Sequence, residues 1–354
     1  MDQLNVAVIG YGLAGAVFHA PLIAAEPRMR VAAVVTGSAE RVARAEADHP
    51  GVRVLPDPEA LFGSAAGQVD LVVVAAPNDA HAPLARAALA AGLPVVVDKP
   101  VTPTAAEARE LIGLAERAGL ALSVFQNRRW DGDFLTAGRL IEQGELGEVT
   151  RFESRFERWR PVPKGGWRET GGRDQAAGLL FDLGSHLVDQ ALHLFGPALS
   201  VYAQLDARRA GISTDDDAFV ALTHANGVRS HLWMSAVAAQ LGPRLRVLGS
   251  RGAYVKYGLD VQEDALRSGA RPGGGAAGDE WGAEDPSAWG KCGTDADART
   301  VETDHGAYPA FYAGMAAALL DGAPVPVDPR DAAAALDILE AARWSAEQNT
   351  VVQL

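Results

Sequence analysis

Short runs of β-branched and aliphatic residues alternate with alanine-rich stretches over the first third of the chain. Residues 6–9, 31–35, 71–75, 95–97 and 122–125 are apolar at almost every position, and each reads as a strand. Helices are expected between and around them at 14–25, 39–48, 81–91 and 104–118. The last two close at Gly92 and Gly119, the residue type suited to the left-handed turn that ends a helix. A strand that is apolar on both faces must be covered on both faces. The pattern therefore predicts a parallel, doubly wound α/β domain over residues 1–125.

Beyond Phe125 the period changes. Residues 149–159, 201–207, 219–223, 228–235, 245–248 and 253–257 alternate apolar with polar positions, as in successive strands of an antiparallel meander with one covered face. Helices are expected at 133–143, 183–195, 308–320 and 330–348. Residues 268–291, with the run Gly273-Gly274-Gly275, read as a long, mobile loop in which Trp281 and Trp289 dock on the rest of the molecule. The expected fold is α/β: a Rossmann-type N-terminal domain (1–125), then an α+β domain (126–354) with a large, mostly antiparallel open sheet. Self-association commonly covers an open sheet face, so a homodimer or homotetramer is expected.

Composition narrows the partners. A chain of 354 residues, 48% hydrophobic and 22% charged, suits two globular domains. Its net charge of −13 disfavours nucleic acid and anionic membrane as partners and leaves small molecules. The one cysteine, Cys292, supports neither a disulfide framework nor a Cys-rich zinc module. No basic leader pattern opens the chain and no apolar run approaches the roughly 20 residues of a spanning helix, so a cytoplasmic location is expected.

Local chemistry begins at Gly10-Tyr11-Gly12-Leu13-Ala14-Gly15, a G-x-G-x-x-G turn that follows a strand and opens a helix. In that context Gly10 allows the tight turn, Gly12 admits a pyrophosphate close to the backbone, and Gly15 lets helix and strand pack closely. The helix N-terminus supplies N–H groups and a positive dipole to phosphate. A site for NAD places an acid after the second strand; here the chain reads Thr36-Gly37-Ser38, with Arg41 and Arg44 following. Hydroxyls and a guanidinium suit a 2′-phosphate, so NADP is the expected cofactor, with NAD the alternative.

Lys99, in Asp98-Lys99-Pro100, stands at the carboxyl edge of the sheet, where ligands of such sheets bind. Asp182, His186 and Asp189 recur at i, i+4 and i+7, one face of a helix if the segment is continuous. A carboxylate one turn from a histidine orients its ring and raises its basicity, which suits general-base work on an alcohol. A helix cap with an exposed histidine and an Asp-x3-His chelate are the competing readings; no matching ligand cluster supports a metal, and none is expected. His193 reads as structural.

Together these motifs resemble the Gfo/Idh/MocA family of pyridine-nucleotide-dependent oxidoreductases over essentially the whole chain. Asp98 stands where that family more often has Glu. Gln126-Asn127-Arg128-Arg129-Trp130-Asp131, Trp167-Arg168-Glu169, the run Leu180 to His186 and the run Tyr257 to Leu266 resemble the branch that contains NADP-dependent scyllo-inositol 2-dehydrogenase. The resemblance implies that Lys99, Asp182 and His186 form the catalytic set. It further implies that Asp189 contacts substrate hydroxyls and that Pro77, Asn78 and His81 line the nicotinamide ribose. Arg128, Trp130 and Trp167 are expected in the pocket, since indole faces pack on the C–H faces of sugars.

The expected reaction is reversible oxidation of a secondary alcohol of a polyol or sugar to a ketone. In it His186 acts as base, Asp182 orients it, and Lys99 stabilises the alkoxide or relays the proton. Two other classes compete. One is glycoside hydrolysis through transient oxidation by a tightly held cofactor; the other is a non-catalytic dinucleotide- or sugar-binding regulator.

Overall fold

The computed structural model describes residues 3–64, 68–273 and 280–354. Gly274 and Gly275 lie outside them. The chain divides into two compact units. The first comprises Met1–Asn127, Gln262–Trp281 and Ala307–Ala333; the second comprises Arg128–Val261, Gly282–Gly306 and Ala334–Leu354. The chain first passes from one unit to the other after Asn127 and returns to the first unit twice.

In the first unit the strands are β1 (Leu4–Ile9), β2 (Met29–Val35), β3 (Arg53–Leu55), β4 (Leu71–Val74), β5 (Val95–Asp98) and β6 (Leu122–Phe125). They form a parallel sheet in the order β3-β2-β1-β4-β5-β6. Val6, Ala7 and Val8 of β1, all of β4, and Val95 to Val97 of β5 are buried, as the uninterrupted apolar pattern requires. Helix α1 is wound as a π-helix over Ala14–His19 and as an α-helix over Ala20–Ala25. It is followed by α2 (Ala39–Asp48), α3 (Pro58–Ser64), α4 (Asn78–Ala90) and α5 (Ala105–Ala118). Thr104 caps α5 by accepting from the Glu107 N–H, and Gly119 ends it in the left-handed conformation at φ 65°.

The second unit carries α6 (Gly132–Glu142), β7 (Val149–Glu157), α7 (Trp167–Thr170), α8 (Leu179–Asp182) and α9 (Gly184–Phe195). Strands β8 (Ala198–Asp206), β9 (Asp217–His224), β10 (Arg229–Ser235), β11 (Leu245–Gly249) and β12 (Ala253–Lys256) follow. After α10 (Gln262–Arg267), which belongs to the first unit, come β13 (Gly290–Gly293) and β14 (Arg299–Val301). Helix α11 (Pro309–Asp321) is again part of the first unit, and α12 (Pro329–Gln348) and β15 (Val352–Gln353) complete the chain.

The nine-stranded sheet runs β14-β13-β12-β11-β7-β10-β9-β8-β15. It is mostly antiparallel, as expected, with one parallel pair, β7 and β10, running from Arg151–Arg229 to Glu157–Ser235. Alternation reports which face of a strand is covered and is blind to the direction of its neighbour. Along β9 the buried positions are Ala218, Val220, Leu222 and His224, and along β10 Ser230, Leu232, Met234 and Ser235. Helix α9 packs on the covered face of this sheet, against β7 and β10.

Part of the first unit's core comes from far along the chain. The Phe125 ring meets Phe311 edge-on at 4.9 Å, and the buried Tyr312 hydroxyl lies 2.6 Å from His19 Nδ1. Trp281 docks as expected, its indole N–H donating to Gln262 Oε1 at 2.9 Å.

Candidate active site

The turn after β1 is built around missing side chains. Gly10 has φ +96°, and a Cβ there would strike the Ala75 carbonyl oxygen. A Cβ on Gly15 would strike the Gly10 carbonyl oxygen. At Gly12 the nearest groups to such a Cβ are the Arg41 guanidinium atoms, 4.0 Å away. Two glycines thus close the turn on the protein's own backbone, and the third leaves room beside a cation. Tyr11 is buried and its hydroxyl donates to Asp48 at 3.1 Å, tying the turn to the end of α2. Leu13 is half exposed, and Ala14 opens α1. The cradle fits a dinucleotide pyrophosphate: bare backbone, a helix start, and no side chain in the way.

Thr36 is buried at the end of β2, and Ser38 immediately precedes α2. Arg44 pairs with Asp48 at 3.4 Å, whereas Arg41 makes no ion pair among the described residues and lies exposed against the glycine turn. Of the two arginines singled out in the sequence, Arg41 is therefore the one beside the glycine turn.

The turns after β4 and β5 carry the remaining residues of this unit. Asn78 is buried at the start of α4, just after the exposed Pro77. His81 is 1% exposed; its Nδ1 lies 2.7 Å from the Pro100 carbonyl oxygen and its Nε2 lies 2.8 Å from that of Ala76. Both ring nitrogens thus face the protein's own backbone. Lys99 is half-buried. Its N–H donates to Asp98 Oδ1 at 2.8 Å, and that same oxygen faces His19 Nε2 at 3.8 Å. Burial alone would raise the Asp98 carboxyl. His19, His81 and Lys99 outweigh it and hold the group below the usual carboxylate range.

In the second unit the expected helix around His186 is interrupted. Asp182 ends α8, Leu183 breaks the run, and Gly184 opens α9. A Cβ on Gly184 would crowd Met234 Cε at 3.2 Å, so the break lets the chain pass close to the sheet. His186 is 6% exposed. The Asp182 carboxylate faces Arg168 Nε at 3.6 Å, and the Arg168 guanidinium lies 4.6 Å from the centre of the half-buried Trp167 ring. The α7 turn carrying Trp167 and Arg168 is fixed by Glu169, which accepts from Arg209 at 2.9 Å; Arg209 in turn is held by Asp216 at 2.6 Å.

Asp189, expected to contact substrate, is paired with Arg129. It is 2% exposed, and its two carboxylate oxygens accept from Arg129 Nε and Nη2 at 2.8 and 2.7 Å, a two-pronged pair. It holds Arg129 in place and has no oxygen turned to solvent. Arg128 is likewise buried, donating to Asp131 at 3.2 Å with its guanidinium 4.7 Å from the Phe156 ring centre; Trp130 is half-buried beside it. Gln190 joins these groups, donating to the Arg128 carbonyl and accepting from Arg244 at 3.0 Å. Arg129, Arg168, Gln190 and Arg244 were not singled out in the sequence, although Arg129 and Arg168 each adjoin a residue that was.

Burial pushes the Asp131 carboxyl up to about 8, with Asp260 and Asp133 adding to it against Arg128 and Arg244. A carboxyl raised by folding contributes stability that is complete below its unfolded value and is lost as pH climbs through about 8. The melting temperature is therefore expected to fall from pH 6 to pH 9, and Asp131→Asn to flatten that fall. A melt series across the range checks it; an unchanged slope in the variant removes Asp131 as the cause.

Residues 4–126 match the NAD-binding Rossmann fold of the GFO_IDH_MocA oxidoreductase family, and residues 139–354 match that family's C-terminal alpha/beta domain. The chain belongs to the Gfo/Idh/MocA oxidoreductases and carries an NAD(P)-binding Rossmann domain. Among particular proteins, it is 35% identical to scyllo-inositol 2-dehydrogenase (NADP(+)) IolW of Bacillus subtilis, over 100% of this chain and 97% of that one. It is 41% identical to the uncharacterized oxidoreductase YdgJ of Escherichia coli, over 100% and 99%. The structure of the oxidoreductase yvaA from Bacillus subtilis superposes with a TM-score of 0.92 at 34% identity, covering 100% of this chain and 99% of that one. Relatives also include an inositol 2-dehydrogenase and a D-apiose dehydrogenase. Among the described residues, no helix is long and apolar enough to cross a membrane, and no cluster of His, Cys, Asp and Glu is arranged to hold a metal ion.

Proposed function

We propose that this protein is an NADP-preferring dehydrogenase that interconverts a secondary alcohol of an inositol-like polyol or sugar and its ketone. The observation that carries this reading is the convergence at one sheet edge. The glycine turn after β1, the Asn78 turn after β4 and Lys99 after β5 follow three neighbouring strands of the parallel sheet. A dinucleotide binds at the carboxyl edge where strand order reverses, here between β1 and β4. The similarity to an NADP-dependent scyllo-inositol dehydrogenase supports the substrate class and the cofactor.

In this reading the glycine turn and the start of α1 hold the pyrophosphate, and Thr36, Ser38 and Arg41 receive the 2′-phosphate. The nicotinamide, when bound, supplies the hydride acceptor. The protein manages one proton and one developing charge. His186 takes the hydroxyl proton, with Asp182 stabilising the charged ring. The Lys99 ammonium donates to the substrate oxygen and stabilises its negative charge. Arg128, Trp130 and Trp167 shape the polyol pocket, and Asp189 acts there by fixing Arg129.

Incubation with inositols, aldoses and glycosides, followed by NADPH absorbance, tests the reading. NADPH formation with an inositol or aldose is expected. Release of an aglycone without NADPH would assign glycoside hydrolysis instead, and binding without turnover would assign a regulator. Arg41→Glu is expected to lower kcat/KM with NADP relative to NAD by about 10- to 100-fold, the worth of a hydrogen bond to a charged group. An unchanged cofactor ratio would remove Arg41 from the phosphate site.

A further inference from the structure

We propose that His81 is a positioning residue for Lys99, a doubly protonated ring that clamps the Lys99–Pro100 step to the turn after β4. The proposal rests on the role given to Lys99 above. Its structural basis is the pair of acceptors that the ring meets. Nδ1 lies 2.7 Å from the Pro100 carbonyl oxygen and Nε2 lies 2.8 Å from the Ala76 carbonyl oxygen. Carbonyl oxygens only accept. A neutral imidazole has one N–H, and its other nitrogen would set a lone pair against a carbonyl lone pair. At 1% exposure water does not relieve that conflict, so both contacts are satisfied together only by the imidazolium.

His224 gives the contrast within the same chain. Its ring nitrogens meet the Gly196 carbonyl and the Ser230 hydroxyl, each at 2.8 Å. A hydroxyl donates as readily as it accepts, so a neutral ring suffices there. Burial lowers the His224 pKa accordingly. His81 has no hydroxyl in that position. What it has nearby is the Asp98 carboxylate as countercharge, stabilised in part by His81 itself. The other titratable groups around that carboxylate are His19 and Lys99; Asp79, on the first turn of α4, is exposed.

The clamp sits where the sheet stops doing this work. β4 and β5 are paired from Val72–Val95 to Val74–Val97, and beyond Val97 the next residue, Asp98, pairs with β6. The chain that leaves β4 toward Asn78 and the chain that carries Lys99 are then joined through the His81 ring. A displacement on the order of 1 Å in a catalytic group costs about 100-fold in rate, which is the scale of effect a clamp of this kind controls.

Two measurements test it. In protein labelled with nitrogen-15 histidine, the wild-type His81 ring, assigned through its contacts with Ala76 and Pro100, is expected to show two protonated nitrogens at neutral pH. A single-proton tautomer overturns the clamp. In kinetics, His81→Phe fills the same space without donors, and kcat is expected to fall about 100-fold with NADP affinity changed only a few-fold. An unchanged kcat in folded variant also overturns it. The ring measurement needs neither turnover nor a folded variant. If no alcohol is oxidised by the wild-type enzyme, the reading of the reaction fails while the protonation state of His81 is still decided.

Discussion

Lys99→Ala is expected to lower kcat by about 100- to 10,000-fold, the range for losing one group that handles a proton or its charge in the transition state. Half-buried at the carboxyl edge of the parallel sheet, Lys99 has its backbone N–H fixed on Asp98. Truncation removes the ammonium and leaves the strand and its turn intact. In the proposed reading the glycine turn and Arg41 hold NADP, so its dissociation constant, read from protein fluorescence, is expected to change far less than kcat. His186→Ala is expected to lose rate on the same scale and also the limb of the pH–rate profile that reports the base. Normal turnover by both variants would overturn the catalytic assignment. A rate loss matched by equal loss of NADP affinity would move Lys99 from the chemistry to the cofactor site.

The second large effect is on stability. Asp189→Ala removes the two-pronged partner of Arg129 from a buried ion pair in which both side chains are less than a tenth exposed. Breaking a buried pair in this way costs about 3–5 kcal/mol. For a unit of this size the melting temperature is expected to fall on the order of 10 °C. Adding Arg129→Leu to Asp189→Ala removes the buried guanidinium as well, and most of the lost stability is expected to return. A melt of the single and double variants checks both steps. A single variant as stable as wild type would show that Asp189 is free to serve substrate, as the family resemblance implied.

Much of the first unit was legible residue by residue. Apolar runs such as Leu71 to Val74 announce strands covered on both sides, and Gly10, Gly12 and Gly15 announce a turn whose side chains have no room. The place of Lys99 at the carboxyl edge of the sheet was legible because it directly follows a buried strand. The second unit was legible only in part. Asp182, His186 and Asp189 have the right spacing for one helical face, yet the chain breaks at Leu183 and Asp189 turns to Arg129 instead of outward.

The sequence by itself determined which segments are strands and helices, where the dinucleotide cradle lies, and which residues carry charge beside it. Those are local properties, set by side-chain period, by the steric demands of glycine turns and by the burial pattern of a few consecutive residues. Only the tertiary structure decided the pairings. Arg129 meets Asp189 across 60 positions and His19 meets Tyr312 across 293, while β7 lies parallel to β10. His81 spends both nitrogens on backbone that sequence had no means of placing near it. A polar side chain's partner is chosen by whatever packing brings within 3 Å once the apolar faces are buried. No short-range pattern encodes that choice.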